Sequence, residues 1–119
     1  NADIARVRYK KASKVAKRRL KKAARLLKEN QKEAFFEEIE RASWTYLSDR
    51  LSIPTSELNK ENIAQILISK GVAQELIEEL HRVLSTAELA RYAPTYDYAM
   101  QQIYNDTINI INQLESAKL

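Results

Sequence analysis

Residues 20–51 read LKKAARLLKENQKEAFFEEIERASWTYLSDRL, and this stretch decides the fold. At about 100° per residue, Leu20, Ala23, Ala24, Leu26 and Leu27 share one half of a helical wheel. Phe35, Phe36, Ile39, Ala42, Tyr46 and Leu47 share one face of a second wheel. Trp44 and Leu51 widen that face, which predicts a helix packed on two neighbours. Between the two runs, KENQK (28–32) breaks the pattern, and Asn30 suits a helix stop because Asn tolerates the left-handed conformation. So short a connection makes the two helices an antiparallel hairpin.

Upstream, the first helix is predicted over about 4–28. Tyr9, Ala12, Val15 and Ala16 extend its apolar half, and the alanines permit a close helix neighbour. Lys10, Lys11, Lys14, Lys17, Arg18, Lys21, Lys22, Arg25 and Lys28 fill the opposite side. Arg19 alone sits inside the apolar arc. The second helix is predicted over about 32–51, with Glu33, Glu37, Glu38 and Glu40 as its exposed acidic face. Pro54 ends it, because the residue before a proline is driven out of the α region.

Downstream, TSELNKENIAQILISKG (55–71) reads as one or two short helical segments. Thr55, Ser56 or Asn59 can cap the start, and Gly71 suits the position just past the end. Residues 73–93 form another helix or a broken pair, with Leu76, Ile77, Leu80, Val83 and Leu84 inward and Pro94 beyond. A last helix is predicted over 96–117, with Tyr98, Ala99, Met100, Ile103, Tyr104, Thr107, Ile110, Ile111 and Leu114 on its core face. The one β-branched run, INII (108–111), has its apolar residues at helical spacing. The expected fold is therefore all-α: a compact bundle of five or six helices, opening with a long basic helix in a helical hairpin. The hairpin faintly resembles a tetratricopeptide unit, but no second copy follows at the ~34-residue period of such arrays.

Composition agrees. The 119 residues suit one domain, predicted over 3–119. One glycine and two prolines are too few for a turn-rich β fold. There is no cysteine, which excludes disulfides and thiolate metal sites. No apolar run approaches the roughly 20 residues of a membrane span, and no secretory signal is present. Asn1-Ala2 in place of an initiator Met suggests a cloning scar on a domain excised from a longer protein.

Charge divides the chain. Residues 1–32 carry 13 Lys or Arg against 2 acids, and residues 33–119 carry 7 against 14. A basic arm is joined to an acidic body.

No catalytic constellation emerges, so the chain reads as non-enzymatic and no metal or cofactor is implied. His81 is the only histidine. Glu78, three residues before it, would complete a Glu-x-x-His ligand pair, but carboxylate-bridged metal bundles need two such pairs and two further Glu. His81 therefore reads as a half-exposed helix residue. One glycine rules out a phosphate-cradling Gly loop and a Gly-flanked serine elbow. Acid–base chemistry needs a desolvated carboxyl in a cleft, whereas the helix-two glutamates read as a solvated face. Tyr92, Tyr96, Tyr98 and Tyr104 surround Pro94. They read as a buried corner, with Arg91 and Tyr92 as the exposed exceptions and candidate contact residues.

The block 10–28 holds ten Lys or Arg and no acid. It suits nucleic-acid phosphates electrostatically. Yet no Asn or Gln interrupts the basic face to read bases, Tyr9 is its only aromatic, and the acidic body would repel a duplex. It also suits an anionic membrane surface, where each Lys or Arg contributes about 1 kcal/mol and where cytoplasmic flanks of spans are enriched in both. The bland alternative is a solvated face. The candidate membrane- or partner-binding residues are Lys10, Lys11, Lys14, Lys17, Arg18, Lys21, Lys22, Arg25, Arg91 and Tyr92.

The ordered series WTYLSDRLSIPTSELNKENI (44–63), LISKGV (67–72), ELIEEL (75–80) and ELARYAP (88–94), with the basic block before it, resembles the C-terminal domain of the BatD (Bacteroides aerotolerance, oxygen-tolerance) family. The likeness covers nearly the whole chain. It implies a parent with a large periplasmic region, one membrane span and this domain on the cytoplasmic side of the inner membrane. It implies partners among MoxR-type AAA+ ATPases and von Willebrand A-domain membrane proteins, and it carries no catalytic residue with it. A capping Ser or Asp expected near Ala73 is missing. The resulting expectation is a membrane-proximal adaptor tail. A nucleic-acid-binding helical module is the alternative.

Overall fold

A computed structural model describes residues 14–92, 100–117 and 119. Among these residues the chain is helical throughout, without a strand. Residues 14–19 (α1) lead into Lys21–Lys28 (α2), followed by Lys32–Leu51 (α3), a 3₁₀ turn at Thr55–Glu57, Lys60–Ser69 (α4), Gln74–Tyr92 (α5) and Met100–Ser116 (α6). Six helices in one bundle match the expected class. The first ten residues predicted for helix one, and the start of the last helix with Pro94, Tyr96 and Tyr98, lie outside the described residues.

α1 and α2 form one rod with a local distortion. Leu20 leaves helical dihedrals (φ −105°, ψ 18°), yet its N–H still bonds Ala16 O and its carbonyl accepts from Ala24. The rod packs on the body: Ala16, Leu20, Ala23 and Leu26 are buried. It ends as the sequence predicts. Asn30 takes a left-handed φ of 54°, so that Asn30 N–H bonds Leu27 O and Gln31 N–H bonds Leu26 O. That pair of bonds is a Schellman motif, and it satisfies carbonyls that the helix end would otherwise orphan.

α3 is the hub and packs against α2, α5 and α6. Its expected face, Phe35, Phe36, Ile39, Ala42, Tyr46 and Leu47, is buried, with Trp44 and Leu51 partly buried against the core. Phe35 and Phe36 meet edge to face, with centroids 5.1 Å apart. Rings of this size contribute several kcal/mol each, and Phe35→Ala would cost about 3–5 kcal/mol.

Packing on several sides overturns one expectation for α3. Glu38 is only 7% exposed, and Glu40 is half-buried. Glu38 takes Arg41 Nε and Nη2 at 3.0 and 2.7 Å and lies 3.9 Å from Lys22 on α2. Glu40 meets Arg91 on α5. Only Glu33 and Glu37 of that predicted acidic face stay exposed. A wheel drawn for one apolar face cannot show that a second neighbour will cover the polar side.

Residues 55–71 resolve into the 3₁₀ turn and α4. Asn59 is the cap: its side chain accepts from Glu61 and Asn62 N–H, and Asn62 Oδ1 accepts from Asn59 N–H. This reciprocal capping box satisfies donors that a helix start leaves free. Gly71 (φ 81°) closes α4 with a second Schellman pair, Gly71 N–H to Ile68 O and Val72 N–H to Leu67 O. α5 is a single helix, with Leu76, Ile77, Leu80, Val83 and Leu84 inward as expected and Ala87 and Ala90 extending the buried stripe. α6 buries Ile103, Thr107, Ile110, Ile111 and Leu114.

Candidate membrane- or partner-facing surface

On the described part of the rod, Lys14, Lys17, Arg18, Lys21, Lys22, Arg25 and Lys28 are all exposed. The geometry follows from the sequence, since burying Ala16, Leu20, Ala23 and Leu26 turns the cations outward. Lys10 and Lys11 lie outside the described residues. Lys22 has the distant Glu38 carboxylate. Lys14, Lys17, Arg18, Lys21, Arg25 and Lys28 have no carboxylate partner among the described residues.

Most of the body's cations behave differently; Lys70, which is exposed, has no carboxylate partner among the described residues. Arg41, Arg50, Lys60, Arg82 and Arg91 each pair with a carboxylate at 3.2 Å or less. Lys60 joins α4 to Glu88 on α5, and Arg82 joins α5 to Asp106 on α6. The Lys60 ammonium accordingly holds the Glu88 carboxyl below its usual range. Arg50, Lys60, Arg82 and Arg91 tie helices of the body together, whereas the rod's cations, Arg19 and Lys22 apart, are left to solvent.

Arg91 and Tyr92 fall elsewhere. Arg91 Nη1 donates to Glu40 Oε2 at 3.0 Å, and its guanidinium lies 5.3 Å from the Tyr92 ring centroid. Tyr92 is 73% exposed. Glu38, which faces α2, and Glu40, which faces α5, are about 200° apart on α3. Arg91 and Tyr92 therefore do not extend the cationic surface of the rod.

Arg19, the exception on the wheel, is structural. Its Nη1 meets Asp49 Oδ2 at 2.6 Å, and its guanidinium lies 5.7 Å from the Tyr46 ring centroid. Beside it, Tyr46 hydroxyl donates to Glu115 Oε2, and Arg50 Nη2 donates to the Ala117 carbonyl. Val15, Arg18, Arg19, Tyr46, Arg50 and Glu115 line a groove of about 350 Å³. An arginine inside an apolar arc was the one sequence signal of this groove; Arg50 gave none.

A second groove, of about 410 Å³, lies between the α4–α5 connection and α6, where Asn109, Asn112 and Gln113 line it without a charged group. A third, of about 260 Å³, holds Glu40, Trp44, Lys60 and Glu88. Burial raises the Glu40 carboxyl above 4.5, and Arg91 only partly offsets this. His81 and Glu78 are exposed on α5. Among the described residues no group of three or more His, Asp or Glu is placed to hold a metal, and no helix is long and apolar enough to cross a membrane.

These features define a small all-α bundle with one face of unpaired cations. Comparison with protein-family models, with curated proteins and with solved structures finds no match in any of the three.

Proposed function

We propose that the chain is a non-enzymatic, membrane-proximal adaptor domain whose rod of unpaired cations rests against an anionic surface on the cytoplasmic face of the inner membrane. The carrying observation is the contrast between the two sets of cations. Arg41, Arg50, Lys60, Arg82 and Arg91 are tied to carboxylates, while six cations of α1 and α2 have no such partner. Folding does not use those six charges, and each adds attraction to an anionic leaflet. The resemblance of the sequence to the BatD C-terminal domain supports the same placement. Under that reading the acidic body, with Glu33, Glu37, Glu57, Glu61, Glu75 and Glu78 exposed, is free to meet a protein partner such as a MoxR-type ATPase or a von Willebrand A-domain protein.

The test is co-sedimentation with vesicles, with and without anionic lipid, at low and physiological salt. Binding should require anionic lipid and weaken with salt. Replacing Lys14, Lys17, Arg18, Lys21 and Lys22 by Gln should abolish it. Salt-sensitive binding to duplex DNA with no vesicle binding would favour the nucleic-acid reading instead.

A further inference from the structure

We propose that the groove between α1, α3 and α6 receives a phosphomonoester group on the side chains of Arg18, Arg19 and Arg50. This deepens the membrane-facing reading and rests on it, because it gives the cationic rod a preference among anionic lipids.

Three arginines, Arg18, Arg19 and Arg50, line this one groove of about 350 Å³. Two are already oriented. Arg19 is held by Asp49 at 2.6 Å and by the Tyr46 ring. Arg50 Nη2 bonds the Ala117 carbonyl at 3.2 Å, and its Nε sits 3.2 Å from Glu115 Oε2 without the alignment of a hydrogen bond. Each planar guanidinium carries five N–H donors, so one carboxylate leaves several unused. Pre-orientation matters, because a fixed fork loses little freedom when it meets an anion.

Charge favours entry at the mouth. Asp49 and Glu115 offset two of the three guanidiniums, and Glu115 is further engaged by the Tyr46 hydroxyl. The remaining positive charge is that of Arg18, which is exposed and unpaired among the described residues. Lys14, Lys21 and Lys22 lie three or four positions from Arg18, on the same helix surface. The groove therefore opens onto the cationic face, which raises the local concentration of anions there.

Geometry selects phosphate over carboxylate. A carboxylate can fill one fork at most, and Asp49 and Glu115 each meet their guanidinium through a single nitrogen. A terminal phosphate has three oxygens that can face three forks at once. A phosphodiester headgroup offers only two such oxygens.

The experiment compares the chain with R18K/R50K, which keeps every charge and removes two forks. The probes are vesicles carrying phosphatidic acid or phosphatidylglycerol at equal mole fraction, and inorganic phosphate. The variant should bind phosphatidic acid roughly tenfold more weakly, as expected for the loss of charge-assisted bidentate contacts, and phosphatidylglycerol equally well. R18K alone, which touches no folding contact, should lose part of the same preference and guards against a misfolded double variant. If millimolar inorganic phosphate removes the difference between chain and variant, the groove stands and its source is soluble phosphate. If neither vesicle binds but phosphate raises the melting temperature of the chain and not of R18K/R50K, the groove stands and the membrane reading falls. Equal weakening on both lipids, or none on either, overturns the groove and leaves the membrane reading intact.

Discussion

The hydroxyl of Tyr46 on α3 donates to Glu115 Oε2 on α6 at 2.5 Å, joining residues 69 positions apart. Burial and the Glu115 carboxylate both raise the Tyr46 ionisation above its ordinary value of 10. Tyr46→Phe should cost about 1.5–3 kcal/mol, the range for a hydrogen bond to a charged group. The unfolded chain ionises this tyrosine near pH 10 and the folded chain does not. The contribution is therefore complete below pH 10 and is lost as pH rises toward the folded value. Urea unfolding at pH 7 and at pH 11 checks both parts: the gap between chain and variant should shrink at the higher pH.

Glu40 has the opposite balance from an ordinary paired carboxylate. Desolvation raises it above 4.5, and the hydrogen bond and charge of Arg91 pull it back only in part. The folded chain therefore binds this proton more tightly than the unfolded one. Stability from this group is present below pH 4.5 and is lost as pH rises through the folded value. Glu40→Gln should compare better with the parent at pH 7 than at pH 4. Arg91→Ala removes the offsetting cation and should steepen the parent's loss over the same interval. Melting temperatures of the three proteins across that range decide it; parallel profiles would refute the account.

Asn59→Ala should cost about 1 kcal/mol, the usual loss for an N-cap. The cap holds Glu61 and Asn62 N–H, and Asn62 in turn bonds Asn59 N–H and the Glu57 carbonyl. The loss should be concentrated in α4, so amide exchange of residues 60–63 should speed up more than that of α3.

The distinction between what the sequence could and could not reveal lies in neighbours. Helix α3 was legible to the residue, since Phe35, Phe36, Ile39 and Tyr46 repeat at helical spacing and Pro54 follows. Asn30 and Gly71 were legible because left-handed helix ends favour those two residue types. Glu38 and Glu40 were misread as solvated because neighbouring helices reach them: Lys22 of α2 approaches Glu38, whose close partner is Arg41 of α3 itself, and Arg91 of α5 bonds Glu40. Ser52, with a left-handed φ of 56°, carries no signal in its residue type. The cationic face was legible as a pattern. That the body's own arginines would be paired, and six of the rod's cations left out, follows only from the packing.

Ser52→Gly should stabilise the chain by roughly 0.5–1 kcal/mol, because a non-glycine residue in the left-handed region carries a steric cost. The conformation is fixed by Ser52 N–H to Ser48 O, Ile53 N–H to Ser48 O, and the Ser48 hydroxyl to Ile53 O. Ser52→Val should destabilise, since a β-branched residue tolerates this φ worst. Thermal unfolding of the two variants should therefore shift in opposite directions.

The rod repels itself. Lys14 and Arg18, Lys17 and Lys21, Arg18 and Lys22, and Lys21 and Arg25 are like-charged pairs at i,i+4, each costing about 0.2–0.5 kcal/mol. Salt screens such exposed pairs, so the chain should gain stability between low and physiological ionic strength. Lys17→Gln/Lys21→Gln should be more stable than the parent at low salt and respond less to added salt. An anionic surface that neutralises the rod should raise the parent's melting temperature more than that of the double variant, since a ligand stabilises the state it binds. A stability indifferent to salt would mean that these charges do not strain the fold. A melting temperature unmoved by anionic vesicles would remove the rod from the membrane.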